Sequence, residues 1–204
     1  MNRNNWERRY RTNDYVPRTN ASDLLQDVVQ WLPDGPVMEI AAGTGRNAIY
    51  LAKKGYSVDA IELSTSAIET GKKKAAEESV EINWIERDVN EHEFPLEYYG
   101  VIIVTYYHNP KIIPEIISAL RPGGFLIYEH HVETAQNVDR GPSNEYRYKP
   151  GELPEKCRDL NQYFYEETLR EYTSGDRKGQ TAAVGSIVAE KPEDYPPKHP
   201  PSVR

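Results

Sequence analysis

The sequence predicts an α/β fold: a doubly wound, mostly parallel sheet that ends in an antiparallel hairpin. Two observations carry this expectation. Between residues 37 and 129, short apolar runs alternate about five times with helical segments, as strands joined by right-handed crossovers do. Beyond the polar stretch 131–160, two strand-like runs, Gln162 to Arg170 and Thr181 to Glu190, flank a turn at Gly175 to Gly179. A short turn between two such runs is suited to antiparallel pairing.

The elements follow in order. Leu24, Leu25, Val28, Val29 and Leu32 fall at helical spacing, with Ser22 or Asn20 able to cap the start. Pro33 to Pro36 ends that helix, and Val37 to Ala41 reads as a buried strand. A helix is expected from Arg46 to Lys54, with Gly55 as its stop. Tyr56 to Glu62 is the second strand, and the next helix opens at Ser64 or at Ser66, where Ser66 and Glu69 have capping-box spacing. Ile82 to Ile85 is the third strand. Tyr99 to Thr105 is the least polar run, as a strand covered on both faces should be. Pro110 is expected to open a helix with Pro114 in its first turn, before the turn Arg121-Pro122-Gly123-Gly124 and the strand Phe125 to Glu129. Residues 1–19 show no clean periodicity, and the Pro-rich tail 192–204 is expected to be disordered.

Bulk properties exclude several function classes. A net charge of -7 argues against a protein that grips nucleic-acid phosphates. No apolar run approaches the roughly 20 residues of a membrane span. The polar N-terminus does not read as a signal peptide, and the single Cys157 suggests a reducing, cytoplasmic setting. One domain, residues 20–191, is expected behind the N-terminal segment.

The chemistry centres on Glu39-Ile40-Ala41-Ala42-Gly43-Thr44-Gly45-Arg46-Asn47. A glycine turn between a strand and its helix lets a ligand approach the backbone near the positive helix end. With Ala48 it also has the spacing of a dinucleotide turn. A carboxylate at Glu39 suits a ligand with a cationic amine and repels a pyrophosphate. Glu62 closes the second strand and is placed for ribose hydroxyls. Asp88, beside Val89 after the third strand, suits an adenine amino group.

These residues, with Leu120-Arg121-Pro122-Gly123-Gly124, resemble the class I S-adenosylmethionine-dependent methyltransferases. Trp6 with Tyr10 and Arg11, Gly45 to Ala52, Gly141 to Asn144 and Lys149 to Leu153 resemble the tellurite-resistance branch, which is similar to the thiol and thiopurine methyltransferases. The likeness spans roughly residues 6–191 and implies a Rossmann-like, seven-stranded sheet. It implies that Glu39, Gly43 and Gly45 hold the methionine part of S-adenosylmethionine and that Ala41 and Asn47 also bind the cofactor. Glu62 and Leu63 would take the ribose and one adenine face, Asp88 and Val89 the adenine edge, and Thr105 the sulfonium side. Trp6 and Tyr10 would form a cover. Ala42 stands where relatives often have Cys, Glu39 where many have Asp, and residues 130–140 match the branch poorly.

Transfer from a sulfonium needs alignment and exclusion of water more than acid–base chemistry. A thiol or chalcogen oxyanion such as tellurite needs little help, whereas a proton-bearing acceptor wants a base. Tyr107, His108 and His131 are the catalytic candidates. Tyr106, His130, Arg140 and Arg147 are the acceptor contacts. His130 and His131 should point to opposite sides of a continuing strand, and no metal site is expected. The expected partner is a small methyl acceptor, with no nucleic acid and no membrane, and the chain is expected to be a monomer or homodimer. A non-catalytic S-adenosylmethionine-binding subunit is the alternative, with an NAD-dependent oxidoreductase behind it.

Overall fold

A computed structural model describes residues 3–12, 14–134 and 142–195. Its strands are β1 (Val37–Ile40), β2 (Val58–Glu62), β3 (Asn83–Glu86), β4 (Tyr99–Thr105), β5 (Leu120–His131), β6 (Asn161–Glu171) and β7 (Thr181–Glu190). The helices are α1 (Arg3–Arg11), α2 (Asp23–Val28), α3 (Arg46–Lys53), α4 (Thr65–Glu77), α5 (Ile113–Ala119) and α6 (Glu152–Lys156). The strands form one seven-stranded sheet in the order β3-β2-β1-β4-β5-β7-β6. β1 to β5 pair in parallel, and β7 pairs antiparallel with both β5 and β6. The fold is the expected Rossmann-like one.

β4 shows why the sheet is covered on both faces. Ile102 and Val104 join one buried cluster with Ile113, Ile116 and Tyr148, while Val101 and Ile103 join the other with Leu25, Ala48 and Leu51. Alternate side chains of one strand thus enter two cores. Strand order reverses between β1 and β4, and ligands bind at the carboxyl ends of strands beside such a reversal.

Some local expectations need correction. Residues 3–11 form a helix although no residue of it is buried, so periodicity gives no signal. Ser64 caps α4 by accepting the Ala67 N–H at 3.2 Å, while the Ser66 hydroxyl bonds Glu7 instead of closing a box with Glu69. α5 begins at Ile113, not Pro110, because Asn109 accepts the N–H groups of Lys111 and Ile112 in a preceding turn. Arg121 to Gly124 bulges within β5, between the pairs Tyr99–Leu120 and Val101–Phe125. Residues 192–195 are also ordered, since the ring of Tyr195 packs on the core and lies 5.2 Å from Lys191 Nζ. Residues 196–204 lie outside the described residues, and no described helix is long and apolar enough to cross a membrane.

Candidate functional site

The β1–α3 turn is held from behind. Glu39 is 1% exposed, and its two oxygens accept the Asn47 Nδ2–H and the Ala48 N–H, each at 2.8 Å. Asn47 also reaches Thr105 Oγ1 at 3.2 Å and accepts the Ser22 N–H at 2.8 Å. Burial pushes the Glu39 carboxyl up to about 7. Gly45 sits at φ 74°, and a Cβ there would strike the Trp84 ring. Glu39, Asn47 and Gly45 therefore shape the turn and line none of the cavities described below, which differs from the expected contact with the ligand.

In front of the turn, a cavity of about 160 Å³ opens at the ends of β1, β2 and β4. Ala41, Glu62, Leu63, Asp88, Val89 and Thr105 line it. Glu62 accepts the N–H groups of Gly43 (2.8 Å), Leu63 (2.8 Å) and Ser64 (2.9 Å), and burial raises its pKa. Asp88 accepts from the Asn90 backbone and side chain at 2.9 and 2.7 Å. Among the described residues no lysine or arginine lines this cavity, whereas the carboxylates of Glu62 and Asp88 do. Such a lining suits a nucleoside bearing positive charge and disfavours a pyrophosphate. The residues present fit S-adenosylmethionine.

The N-terminal segment covers this space. Trp6, Tyr10 and Tyr15 pack together with ring centroids 5.3 to 6.0 Å apart, and all three line the cavity. The helix that carries Trp6 and Tyr10 is anchored by Glu7, which accepts from the Ser64 hydroxyl (2.7 Å), the Ser66 N–H (3.2 Å) and the Ser66 hydroxyl (2.5 Å). The Tyr10 hydroxyl lies 2.7 Å from where a Cβ of Gly43 would stand, so only glycine fits under the cover.

A second cavity, about 240 Å³, shares Trp6, Tyr15, Tyr106 and Tyr107 with the first. Its wall carries the opposite charge, with Arg9, Arg18 and Arg177 against a single carboxylate, Asp176. Arg18 lies 3.6 Å from the Tyr106 ring centroid and 4.7 Å from that of Tyr172. Burial pushes the Tyr106 hydroxyl up to about 12. Tyr106 also holds a φ of 60°, uncommon for a bulky residue, directly after β4.

His108, His130 and His131 all line this second cavity. The rings of His130 and His131 stand 5.4 Å apart, His130 beside His108 and Tyr148 and His131 beside Tyr172. His130 Nε2 lies 2.8 Å from the Tyr146 carbonyl oxygen, which can only accept, so Nε2 carries the proton. Nδ1 then holds a lone pair, and it has no hydrogen-bond partner among the described residues. Burial lowers the His130 pKa to about 4. His131 is engaged by the Tyr172 hydroxyl at 3.2 Å, and burial together with His130, Arg177, Arg18 and Arg147 lowers it to about 2. His108 is lowered too, chiefly by burial. Among the described residues no group of three or more His, Cys, Asp or Glu is placed to hold a metal ion.

The acceptor arginines differ from those expected. Arg147 Nε donates to the Pro142 carbonyl at 2.7 Å and does not line the cavity. Arg140 lies outside the described residues. Arg18 and Arg177 line the cavity, and neither shows a periodic or motif signal. The hairpin turn that carries Arg177 was legible, but its return over the ligand edge was not.

Residues 37–124 match the family described as methyltransferase domain. Over that stretch, which is less than half of the chain, the sequence is similar to methyltransferase domains. S-adenosylmethionine is the cofactor that this similarity implies, in keeping with the acidic nucleoside cavity. Over 182 residues the chain is 24% identical to hemagglutinin 1 of Eikenella corrodens, covering 85% of this chain and 60% of that protein. It is 26% identical over 99 residues to the uncharacterized methyltransferase YodH of Bacillus subtilis, covering 47% and 42% of the two chains. The fold of TehB from Haemophilus influenzae superposes with a TM-score of 0.73 at 19% identity, over 84% of this chain and 62% of TehB. The chain thus spans less than two thirds of the length of these proteins.

Proposed function

We propose that this domain transfers the methyl group of S-adenosylmethionine to a small nucleophile, of the thiol or chalcogen-oxyanion type or similar. The observation that carries the reading is the meeting of two cavities of opposite charge at Trp6, Tyr15, Tyr106 and Tyr107. A cationic nucleoside fits the acidic one, and a compact anion fits the basic one.

When bound, S-adenosylmethionine supplies a methyl group already activated by its sulfonium sulfur. The chain's residues supply the rest. Glu62 and Asp88 hold the nucleoside, and the four shared aromatics exclude water from the line of transfer. Arg18 and Arg177 orient the acceptor by its charge. His130 Nδ1 would take any proton that the acceptor must lose.

Incubation with radiolabelled S-adenosylmethionine and a panel of thiols, selenite and tellurite tests this directly. Label is expected in an acceptor carrying negative charge, and Arg177→Ala is expected to raise its KM more than it lowers kcat. Tight binding of S-adenosylhomocysteine with no transfer to any small molecule would favour the non-catalytic reading instead.

A further inference from the structure

The basic cavity is larger than a bare oxyanion requires. Its volume of about 240 Å³ is many times what one water molecule needs. Tyr15, Tyr106, Tyr107 and Tyr146 line it beside the three histidines. A planar ring buries its faces against such walls, whereas a compact oxyanion leaves them unused.

The cations of this cavity and its proton acceptor stand at different places along one wall. Arg18 lies 3.6 Å from the Tyr106 ring centroid and 4.7 Å from that of Tyr172. The His131 ring comes next, 5.1 Å from Tyr106 and 6.2 Å from Tyr172. His130 follows at 5.4 Å from His131, and His108 at 5.4 Å from His130. Beyond the burial common to both rings, Arg177 and Arg18 are among the charges that lower His131, whereas His108 is the one that lowers His130. Tyr106, also 6.4 Å from His130, keeps the two ends within reach of one small molecule.

Each end lacks the partner its chemistry calls for. Among the described residues neither Arg18 nor Arg177 forms an ion pair, and Asp176 is the one carboxylate on the wall. His130 is 3% exposed, and its Nδ1 has no hydrogen-bond donor among the described residues. Unpaired cations and an unpaired buried acceptor are both relieved by a ligand. A hydroxyl donates well to that nitrogen, whereas a thiol does so only weakly.

We propose that the basic cavity takes an aromatic hydroxy acid, with Arg18 and Arg177 on its carboxylate, the aromatic walls on its ring and His130 Nδ1 accepting from its hydroxyl. The inference rests on the methyl-transfer reading and narrows the acceptor from a bare oxyanion to an organic acid. Guanidinium–carboxylate hydrogen bonds are charge-assisted and directional, so they fix which end of the ring points to His130. The hydroxyl oxygen would gain the methyl group, and His130 Nδ1 would take the proton that it gives up.

Calorimetric titration of the chain saturated with S-adenosylhomocysteine tests this, with 3- and 4-hydroxybenzoate, benzoate, phenol and tellurite as probes. One of the hydroxybenzoates is expected to bind at least about tenfold more tightly than benzoate, phenol or tellurite. Arg177→Gln is expected to bring that acid within about threefold of phenol, and His130→Phe within about threefold of benzoate. Retained affinity for S-adenosylhomocysteine shows that each variant is folded, and Arg18→Gln carries the same expectation should Arg177→Gln not fold. Hydroxybenzoates that bind no better than phenol or tellurite overturn the aromatic-acid site and leave the methyl-transfer reading standing. A wild-type chain that does not bind S-adenosylhomocysteine overturns the cofactor reading and this site with it.

Discussion

His130 Nε2 stands 2.8 Å from the carbonyl oxygen of Tyr146, and this one bond decides the tautomer of a buried histidine. The lone pair left on Nδ1 has no partner among the described residues, although the residue lines the basic cavity. With an acceptor that must lose a proton, His130→Phe is expected to lower kcat about 100-fold while leaving affinity for S-adenosylhomocysteine unchanged. With a pKa near 4 the ring is neutral across pH 6 to 8, so turnover should stay flat there as far as this group is concerned. An unchanged kcat in the variant would make His130 a packing residue.

His131 has a consequence for stability. Its folded pKa of about 2 lies below the unfolded value of 6.5. The group therefore contributes stability in full above pH 6.5. As pH falls the unfolded chain takes up the proton first, and the contribution is lost toward the folded pKa. At pH 4.5 the loss is on the order of 2 kcal/mol. Buried Glu39 and Glu62 pull the other way, so the informative quantity is the difference between variants. Urea midpoints for His131→Gln should fall less than those of the wild type between pH 6.5 and 4.5. Parallel profiles would contradict the assigned burial.

Gly71 lies inside α4, where alanine ordinarily stabilises a helix by up to about 1 kcal/mol. Here a Cβ would stand 2.7 Å from Trp84 Cζ2 and 3.1 Å from the Thr44 carbonyl. Gly71→Ala is therefore expected to destabilise by about 2 kcal/mol. Adding Trp84→Leu should recover part of that loss. A neutral or stabilising Gly71→Ala in thermal unfolding would show that the ring has room to move.

The cover predicts coupled losses. Trp6→Ala and Tyr10→Ala are each expected to weaken S-adenosylhomocysteine binding about tenfold, because each removes a wall of the nucleoside cavity. Glu7→Gln touches no cavity but loosens the anchor on Ser64 and Ser66, so it should weaken binding by a smaller factor. Unchanged affinity in all three would mean that the N-terminal helix does not close over the ligand.

The sheet was legible because β1, β2 and β4 are short apolar runs broken by glycine and proline, and a parallel sheet buried on both faces leaves that trace. α1 was not, since its packing uses isolated residues such as Trp6 and Tyr10 rather than a stripe. Glu62, Leu63, Asp88, Val89 and Thr105 line the cavity because strand ends fix where they emerge. Glu39 does not line it: it pairs in register with Ala60 and Ile103, two residues before Glu62 and Thr105. The direction of its carboxylate is set by Asn47 and the first turn of α3, a tertiary choice that spacing does not record. The basic wall was missed for a similar reason. Arg18 and Arg177 are about 160 positions apart and meet only because the β6–β7 hairpin folds back toward the N-terminal segment.

The most direct test of the account is calorimetric titration of the chain with S-adenosylhomocysteine, with NAD as the control and Glu62→Ala as the site variant. Binding of S-adenosylhomocysteine, no binding of NAD, and a loss of at least about tenfold in Glu62→Ala are the predicted results. Binding of NAD without S-adenosylhomocysteine would contradict the acidic nucleoside cavity and the methyl-transfer chemistry built on it.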